Sequence, residues 1–342
     1  MHVAMYYSNK DIRLEDMPVP TIGEDEILMR VEASGICGSD IMEWYRRDKV
    51  PLVLGHEVSG TVHQVGAKVI NFKRGMRIVT THHVPCGECE YCRNGHATVC
   101  DTLRKTHFYP GGFAEFIRIP AINVSVGTFP LADHVSFAEG SFVEPLGCVL
   151  RGQRLAGMNT GKNVLIIGSG ISGMIHIKAA KHLGAKTIVA TDVDEYRLKK
   201  AGEFGANRTF HAQNDFTAQL RQMNGGRLAD IVILCSGAMP AIQQGLESVE
   251  RGGVVLFFTA ATQGALLPFS INSIFWRTEL TLMSSYAASP ADLKEALDLI
   301  TSRKIIVSDM ITHCLPLQET QRGFQLVAVP NNSIKVIIEP QK

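Results

Sequence analysis

The sequence lacks three features that would place it in a specialised class of protein. Its 342 residues carry 34 basic and 33 acidic side chains, so its net charge of +1 suggests neither a nucleic-acid-binding field nor an acidic tail. No apolar run approaches the ~18 residues that a membrane-spanning helix needs. Near the N-terminus, Lys10, Asp11, Arg13 and Glu15 stand where a signal peptide would need an apolar core. We therefore expect a cytoplasmic protein that binds neither nucleic acid nor a membrane.

Internal repeats and low-complexity stretches are also absent, and the length favours two domains. The predicted pattern of secondary structure changes near residue 150. The earlier part has short segments rich in Val and Ile between glycine turns, which predicts a β-rich barrel or sandwich with strands at 26–31, 58–65, 77–81 and 113–119.

The later part alternates strand and helix patterns, which predicts an α/β domain with a parallel sheet covered on both faces. The strands are expected at 163–167, 187–191, 231–235 and 254–259, and the helices at 171–183, 194–204 and 241–248. A helix at 291–301 and tail strands ending at 334–338 are expected to return to the first domain.

A glycine-rich loop follows the first of these parallel strands and opens the next helix. Its residues are Gly168, Ser169, Gly170, Ile171, Ser172 and Gly173. Gly168 permits the tight turn, Gly170 lets the backbone approach a pyrophosphate, and Gly173 lets helix pack against strand. The helix N-terminus then offers free N–H groups to phosphates. This strand–loop–helix context predicts a dinucleotide site rather than a plain turn.

Asp192 ends the next strand, where a carboxylate can accept hydrogen bonds from the ribose hydroxyls and repel a 2′-phosphate. We therefore expect NAD rather than NADP. The alternative role for Asp192 is to cap the following helix, for which Asp194 is the better candidate. Arg197 is a further cofactor-site candidate, because it could pair with a phosphate.

The eight cysteines are expected to be reduced, so a cluster of them indicates metal binding or chemistry. Four of them are closely spaced, at Cys86, Cys89, Cys92 and Cys100. Four thiolates form a closed tetrahedral shell around Zn²⁺, which is typical of a structural site. His82 and His83 precede this loop and could compete as ligands, but four cysteines leave no vacancy, so we expect both to be loop residues or neighbours of the site. An iron–sulfur cluster is the rival interpretation.

A second, more dispersed set combines Cys37 with His56 and Glu57. Taken alone, Cys37 would be a buried thiol, and His56 would be a histidine whose hydrogen bonds are satisfied within the protein. Together their sulfur, imidazole and carboxylate suit a catalytic Zn²⁺ with an open position. Glu144 lies in an otherwise apolar stretch and needs a partner, either a metal or its water, or an arginine such as Arg151.

The order of these motifs resembles that of the zinc-dependent medium-chain dehydrogenases. CGSD, GHE, the four-cysteine loop, GGFAEF, EPL and GSGISG follow one another along nearly the whole chain. The EPL segment is similar to that of the sorbitol (polyol) and threonine dehydrogenase branch. The resemblance implies a GroES-like catalytic domain at 1–148 and 286–342 and a Rossmann domain at 149–285, with the active site in the cleft between them.

By that resemblance Cys37, His56 and Glu57 bind a catalytic zinc, and Glu144 binds it directly or through water. Ser39, Glu57 and Glu144 would be the catalytic residues, and each chain would carry two zinc ions and NAD. The implied reaction is hydride transfer between a secondary alcohol, such as a polyol or cyclitol, and NAD. A homodimer or homotetramer is implied too.

The sequence departs from the family pattern at Met42, where many members have a histidine that carries the alcohol proton to solvent. A thioether cannot take that role, so the proton route must differ. Two other functions stay open. One is oxidation of a β-hydroxy amino acid such as threonine, and the other is a non-catalytic NAD-binding protein on the same scaffold.

Overall fold

The computed structural model describes residues 1–329 and 332–342 of the chain. This described part divides into two compact units. The first unit joins Met1–Gly147 to Ala287–Lys342, and the second is the continuous segment Cys148–Tyr286. The first unit is therefore built from both ends of the chain.

Sixteen strands occur in the described residues. In chain order they are β1 (His2–Ser8), β2 (Asp11–Asp16), β3 (Ile27–Gly35), β4 (Leu52–Val53), β5 (Glu57–Val65), β6 (Arg77–Thr81), β7 (Phe116–Ile119), β8 (Thr128–Pro130), β9 (Asn163–Ile167), β10 (Thr187–Asp192), β11 (Arg208–His211), β12 (Ala229–Leu234), β13 (Val249–Phe257), β14 (Thr281–Ser284), β15 (Ile311–Pro316) and β16 (Lys335–Glu339).

Thirteen α-helices accompany them in the same described ranges. They are α1 (Glu43–Arg46), α2 (Glu90–Arg93), α3 (Asp101–Lys105), α4 (Ala121–Val126), α5 (Phe137–Gly140), α6 (Val143–Leu155), α7 (Ile171–His182), α8 (Glu195–Phe204), α9 (Thr217–Met223), α10 (Met239–Glu247), α11 (Ile271–Phe275), α12 (Pro290–Thr301) and α13 (Thr320–Ala328).

The first unit is built on a seven-stranded sheet with strand order β15-β16-β3-β5-β6-β8, in which β7 also pairs with β3. A second sheet of three strands has the order β2-β1-β4. The C-terminal strand β16 pairs antiparallel with β3, where Ile337 faces Gly35. This pairing places β16 in the same sheet as β3.

Alternation along β3 explains how this sheet buries one face. Ile27, Met29 and Val31 stand two residues apart, so their side chains point to the same side of the strand. All three are fully buried, in a cluster with residues of β5 and β7 that includes Val58 and Ile117. The expected β-rich character of the first domain is therefore confirmed.

The second unit contains a six-stranded parallel sheet with strand order β11-β10-β9-β12-β13-β14. Every residue of the central strand β9 is buried, as expected for a strand covered on both faces. Numbered along this unit, the order is 3-2-1-4-5-6, the doubly wound arrangement of dinucleotide-binding domains. The predicted parallel α/β domain is confirmed.

Several elements differ from the sequence prediction. The strand expected at 113–119 begins at Phe116, and β1, β2, β11 and β14 were not predicted. β11 and β14 lie at the two edges of the parallel sheet and are only partly buried, so they lack the continuous apolar run that marks central strands. The helix α6 was also missed, because Pro145 and two glycines mask its pattern. Proline is tolerated there because it lies in the first turn.

Candidate metal centres and cofactor site

The pairing of β3 with β5 brings the dispersed donor set together. Cys37 follows the end of β3, and His56 immediately precedes β5. In the ladder between these strands Gly35 faces Glu57. The sulfur, ring nitrogen and carboxylate oxygen of Cys37, His56 and Glu57 consequently lie within 4.8 Å of one another. A strand register therefore joins residues that are about twenty positions apart.

Asp40 orients the imidazole of this set. Its Oδ1 lies 3.4 Å from Nδ1 of His56, and its Oδ2 accepts a hydrogen bond from the backbone N–H of Cys37 at 3.0 Å. The side chain of Asp40 is fully buried. Because Nδ1 faces Asp40, the other ring nitrogen is left for a metal, as in carboxylate–histidine–metal arrangements.

The charges around Asp40 oppose the effect of its burial. Burial by itself raises the pKa of the Asp40 carboxyl, but His56 and Arg46 outweigh it and hold that pKa below its ordinary value. Burial by itself lowers the pKa of His56, whereas Asp40 and Cys37 bring it well above its ordinary value. These charges favour the ionised form of the Asp40 carboxyl, whose Oδ1 faces the imidazole.

Glu57 forms a buried ion pair with Lys335, a residue of the C-terminal strand β16. The side chains are 0% exposed for Lys335 and 1% for Glu57. Lys335 was not predicted as a site residue, because it lies 278 positions along the chain from its partner. Asp40 was also missed, although a signal for it was present, an acidic residue three positions after the candidate ligand Cys37.

Ser39 and Glu144 lie in the same unit as the donor set but are not members of it. The backbone nitrogen of Ser39 is 3.5 Å from Sγ of Cys37, so the hydroxyl lies on the ligand loop. Glu144 lies in the first turn of α6 and lines a cavity of ~10 Å³ together with Thr81. A cavity of that volume has room for about one water molecule.

The two histidines before the cysteine loop lie next to His56 rather than among the cysteines. The ring centroids of His56 and His82 are 4.9 Å apart, and those of His82 and His83 are 3.6 Å apart with the ring planes tilted by 35°. Burial lowers the pKa of His82 well below its ordinary value and that of His83 to about 4. Both rings are therefore neutral at neutral pH. Neither belongs to the four-thiol group, as the sequence indicated.

The four cysteines of the closed loop form one compact group of sulfur atoms. Sγ–Sγ distances are 3.6 Å for Cys89–Cys92, 3.6 Å for Cys86–Cys100 and 4.0 Å for Cys86–Cys92. Four ligands at ~2.3 Å from one Zn²⁺ stand about 3.8 Å apart along the edges of the tetrahedron. The thiols therefore fit a single ion, whereas an iron–sulfur cluster would hold them farther apart around several irons.

The glycine loop follows β9 at the carboxyl end of the parallel sheet. Gly168 has a φ of +93°, which favours glycine, and a side chain at Gly173 would overlap the carbonyl oxygen of Gly168. Gly170 precedes the first turn of α7, which begins at Ile171 and continues with Ser172. These residues fit a dinucleotide pyrophosphate, because backbone N–H groups of a helix N-terminus face the loop.

Asp192 ends β10 beside this loop. The residue is 7% exposed, and its carboxylate accepts hydrogen bonds from the backbone N–H of Ser169 at 2.7 Å and of Asp194 at 3.0 Å. Asp194 is the N-cap of α8, as predicted, and accepts from the N–H of Arg197. The Arg197 guanidinium lies 3.9 Å from where a Cβ of Gly170 would be. The structure thus brings Asp192 and Arg197 to the glycine loop.

Comparison with known proteins gives consistent findings. Residues 23–127 match the family described as "Alcohol dehydrogenase GroES-like domain", and residues 172–302 match "Zinc-binding dehydrogenase". Together with the parallel sheet, these matches confirm the expected fold class. Within the described residues, no helix has both the length and the hydropathy to cross a membrane.

Three similar proteins illustrate the relationship. A protein of Aspergillus clavatus named "Probable D-xylulose reductase A" is 32% identical over 96% of this chain and 93% of its own length. Human sorbitol dehydrogenase is 30% identical over 92% of this chain and 89% of its own. A Sinorhizobium meliloti protein described as a zinc-binding dehydrogenase, with NADP bound, has a TM-score of 0.87 and 27% identity, covering 99% of both chains.

Proposed function

This chain belongs to the zinc-dependent medium-chain dehydrogenases, and on that premise we propose that it transfers hydride between a secondary alcohol of a polyol and NAD. The observation that carries the proposal is the grouping of one thiol, one imidazole and one carboxylate, at Cys37, His56 and Glu57. Such a mixed set suits a catalytic zinc with an open position. The names of the xylulose and sorbitol relatives support a polyol substrate.

In this proposal the first unit holds the metal and binds the alcohol. Cys37, His56 and Glu57 would hold the zinc, with Glu144 holding it directly or through water. Zinc, when bound, would act as a Lewis acid and lower the pKa of the alcohol hydroxyl. The Ser39 hydroxyl accepts a hydrogen bond from the alcohol and passes its proton onward.

The second unit would bind and orient NAD. The loop from Gly168 to Gly173, with the first turn of α7, receives the pyrophosphate, and Asp192 receives the ribose hydroxyls. NAD, when bound, accepts the hydride from the carbinol carbon. We assign 1–148 and 286–342 to the catalytic domain and 149–285 to the cofactor domain, an assignment that the two compact units support.

Neutralising Asp192 is expected to narrow the preference for NAD over NADP. In Asp192→Asn the side chain keeps an acceptor for the loop but no longer repels a 2′-phosphate. The ratio of kcat/KM values for the two cofactors should fall by roughly tenfold, about 1.4 kcal/mol of discrimination. Asp194→Asn, which keeps the helix cap, is the matched control and should leave the ratio unchanged. Equal use of both cofactors by the wild type would remove Asp192 as the discriminating residue.

Glu144 is expected to matter more for the proton route than Met42. A thioether does not accept a proton at ordinary pH, whereas Glu144 carries a carboxyl group and lines a cavity with room for about one water molecule. Glu144→Gln should lower kcat by at least roughly tenfold, about 1.4 kcal/mol of barrier, and Met42→Ala should change it little. The measurement is kcat against pH at verified zinc content. A near-normal rate in Glu144→Gln would contradict this route.

The proposed function is tested by following NADH absorbance with a substrate panel. The panel contains sorbitol, xylitol, a cyclitol and L-threonine as alcohols, and D-xylulose with NADH for the reverse direction. We expect turnover of at least one polyol. Oxidation of threonine alone would favour the amino-acid alternative. NAD binding without turnover of any alcohol would favour the non-catalytic alternative.

We also propose a cytoplasmic homodimer or homotetramer. Seven cysteines, at positions 37, 86, 89, 92, 100, 235 and 314, form no disulfide, which suits a reducing compartment. The strand β14 ends the parallel sheet, and the nearby Leu266, Ile271 and Trp276 are strongly exposed, which supports contact with a second copy. Sedimentation analysis tests the assembly, and cell fractionation tests the location.

A further inference from the structure

The buried ion pair between Lys335 and Glu57 lies at the mixed donor set but is not explained by the proposed reaction. Neither side chain has appreciable contact with solvent. The Lys335 ammonium also donates to the backbone carbonyl of Ile36 at 3.2 Å. Its nitrogen stands 5.6 Å from the centroid of the Phe142 ring. The lysine therefore reaches into an enclosed space beside the ligand loop.

Gly35 makes the room for this pair. A Cβ at that position would overlap Oε2 of Glu57 and would stand 2.7–2.8 Å from Cε and Nζ of Lys335. Gly35 and Glu57 also face each other in the β3–β5 ladder. Because Gly35 has no side chain, the charged ends of Glu57 and Lys335 occupy the space that a side chain would fill. The ion pair therefore depends on glycine at this position.

A carboxylate buried as deeply as Glu57 is strongly destabilising unless a positive charge compensates it. Glu57 is one of three proposed ligands whose donor atoms already lie within 4.8 Å of one another. With zinc bound, the ion itself supplies positive charge. Lys335, the buried ion-pair partner of Glu57, supplies a positive charge to the same carboxylate.

We infer that Lys335 is a positioning residue that takes the place of the metal's charge when the catalytic site is empty. It holds the Glu57 carboxylate close to Cys37 and His56, so that the site is preorganised for its ion. This inference rests on the proposed zinc site. If the inference is right, either Lys335 or the zinc ion can supply the positive charge that Glu57 needs. A lysine that only stabilised the packing could not be replaced by zinc in this way.

The test is the effect of zinc on thermal stability in Lys335→Met. Metal is first removed from the mixed-donor site with a mild chelator, and elemental analysis verifies that the four-cysteine site keeps its ion. The metal-free variant should melt below the metal-free wild type, by on the order of 5–10 °C. Restoring zinc should recover most of that difference, so the zinc-induced rise in Tm should be larger in the variant than in the wild type.

Three further variants test whether the loss of the Lys335 charge causes the change in thermal stability. Lys335→Arg keeps the charge and should behave like the wild type. The double variant Lys335→Met with Glu57→Gln buries no unpaired charge, so its metal-free form should recover stability and its response to zinc should shrink. The double variant Lys335→Met with Cys37→Ser should lose the recovery by zinc.

An equal loss of Tm with and without zinc would overturn the inference, because Lys335 would then be only a structural brace. An unchanged Tm in Lys335→Met would overturn it as well. Failure of the proposed function is a separate result. It would show in the wild type as a single zinc ion per chain in active protein, whose content does not fall in Cys37→Ser.

Discussion

Serine in place of Cys37 is expected to abolish hydride transfer while leaving the fold intact. The hydroxyl of serine is a poor substitute for a thiolate, which is the soft ligand in a set otherwise made of nitrogen and oxygen donors. Without that ligand, His56 and Glu57 should hold the ion too weakly for catalysis. We expect kcat to fall by at least roughly a thousandfold, about 4 kcal/mol of barrier.

The measurement pairs turnover with zinc content per chain. Wild type should contain two ions and Cys37→Ser one, with similar circular dichroism spectra. Cys314 is exposed and belongs neither to the four-cysteine site nor to the mixed donor set. Cys314→Ser is therefore a matched control that should keep both ions and full activity. Fully active protein with one zinc or none would contradict the two-site assignment.

Serine in place of Cys89 is expected to act on stability instead of chemistry. The loop from Cys86 to Cys100 has little regular structure beyond the four-residue α2 and one 3₁₀ turn, and most of its residues are exposed. Since the loop has almost no apolar core, the free energy of metal binding must supply much of its folding free energy. Losing one of four ligands should lower the free energy of unfolding by at least about 3 kcal/mol.

Calorimetry and a limited-proteolysis time course measure this effect. The melting temperature should fall on the order of 5–10 °C, and cleavage should begin within the cysteine loop. Turnover per folded molecule should stay close to the wild type, since Cys37 and His56 are unchanged. A large loss of kcat with unchanged stability would mean that the loop contributes directly to the reaction.

The four-cysteine site and the glycine loop could be predicted because the residues of each lie close together in the sequence. Cys86 to Cys100 lie in one loop, and the glycine loop lies between one strand and one helix, so local spacing suffices to identify them. The link between Cys37 and His56 depends on the pairing of β3 with β5, which alternating apolar residues only suggest. The mixed chemistry of the donors indicated their association before the register was known.

The groups that support the ligands could not be found in the same way. Lys335 meets Glu57 because β16 returns to β3, and no local pattern encodes which distant strand will be the neighbour. Arg46 reaches the buried Asp40 from a short helix whose sequence has no ligand signature. Single lysines and arginines are common at surfaces, so their burial becomes visible only when the packing is known.

The return of β16 to β3 has a consequence for the order in which the protein matures during synthesis. The second unit is continuous and can fold once its 139 residues, Cys148–Tyr286, have left the ribosome. The four-cysteine loop is local, so it can take up an ion earlier still. The mixed donor set of Cys37, His56 and Glu57 is complete by residue 57, yet the ion-pair partner of Glu57 is synthesised only with Lys335. Nascent chains stalled before β16 should therefore carry the ion of the cysteine loop but lack a stably assembled catalytic centre.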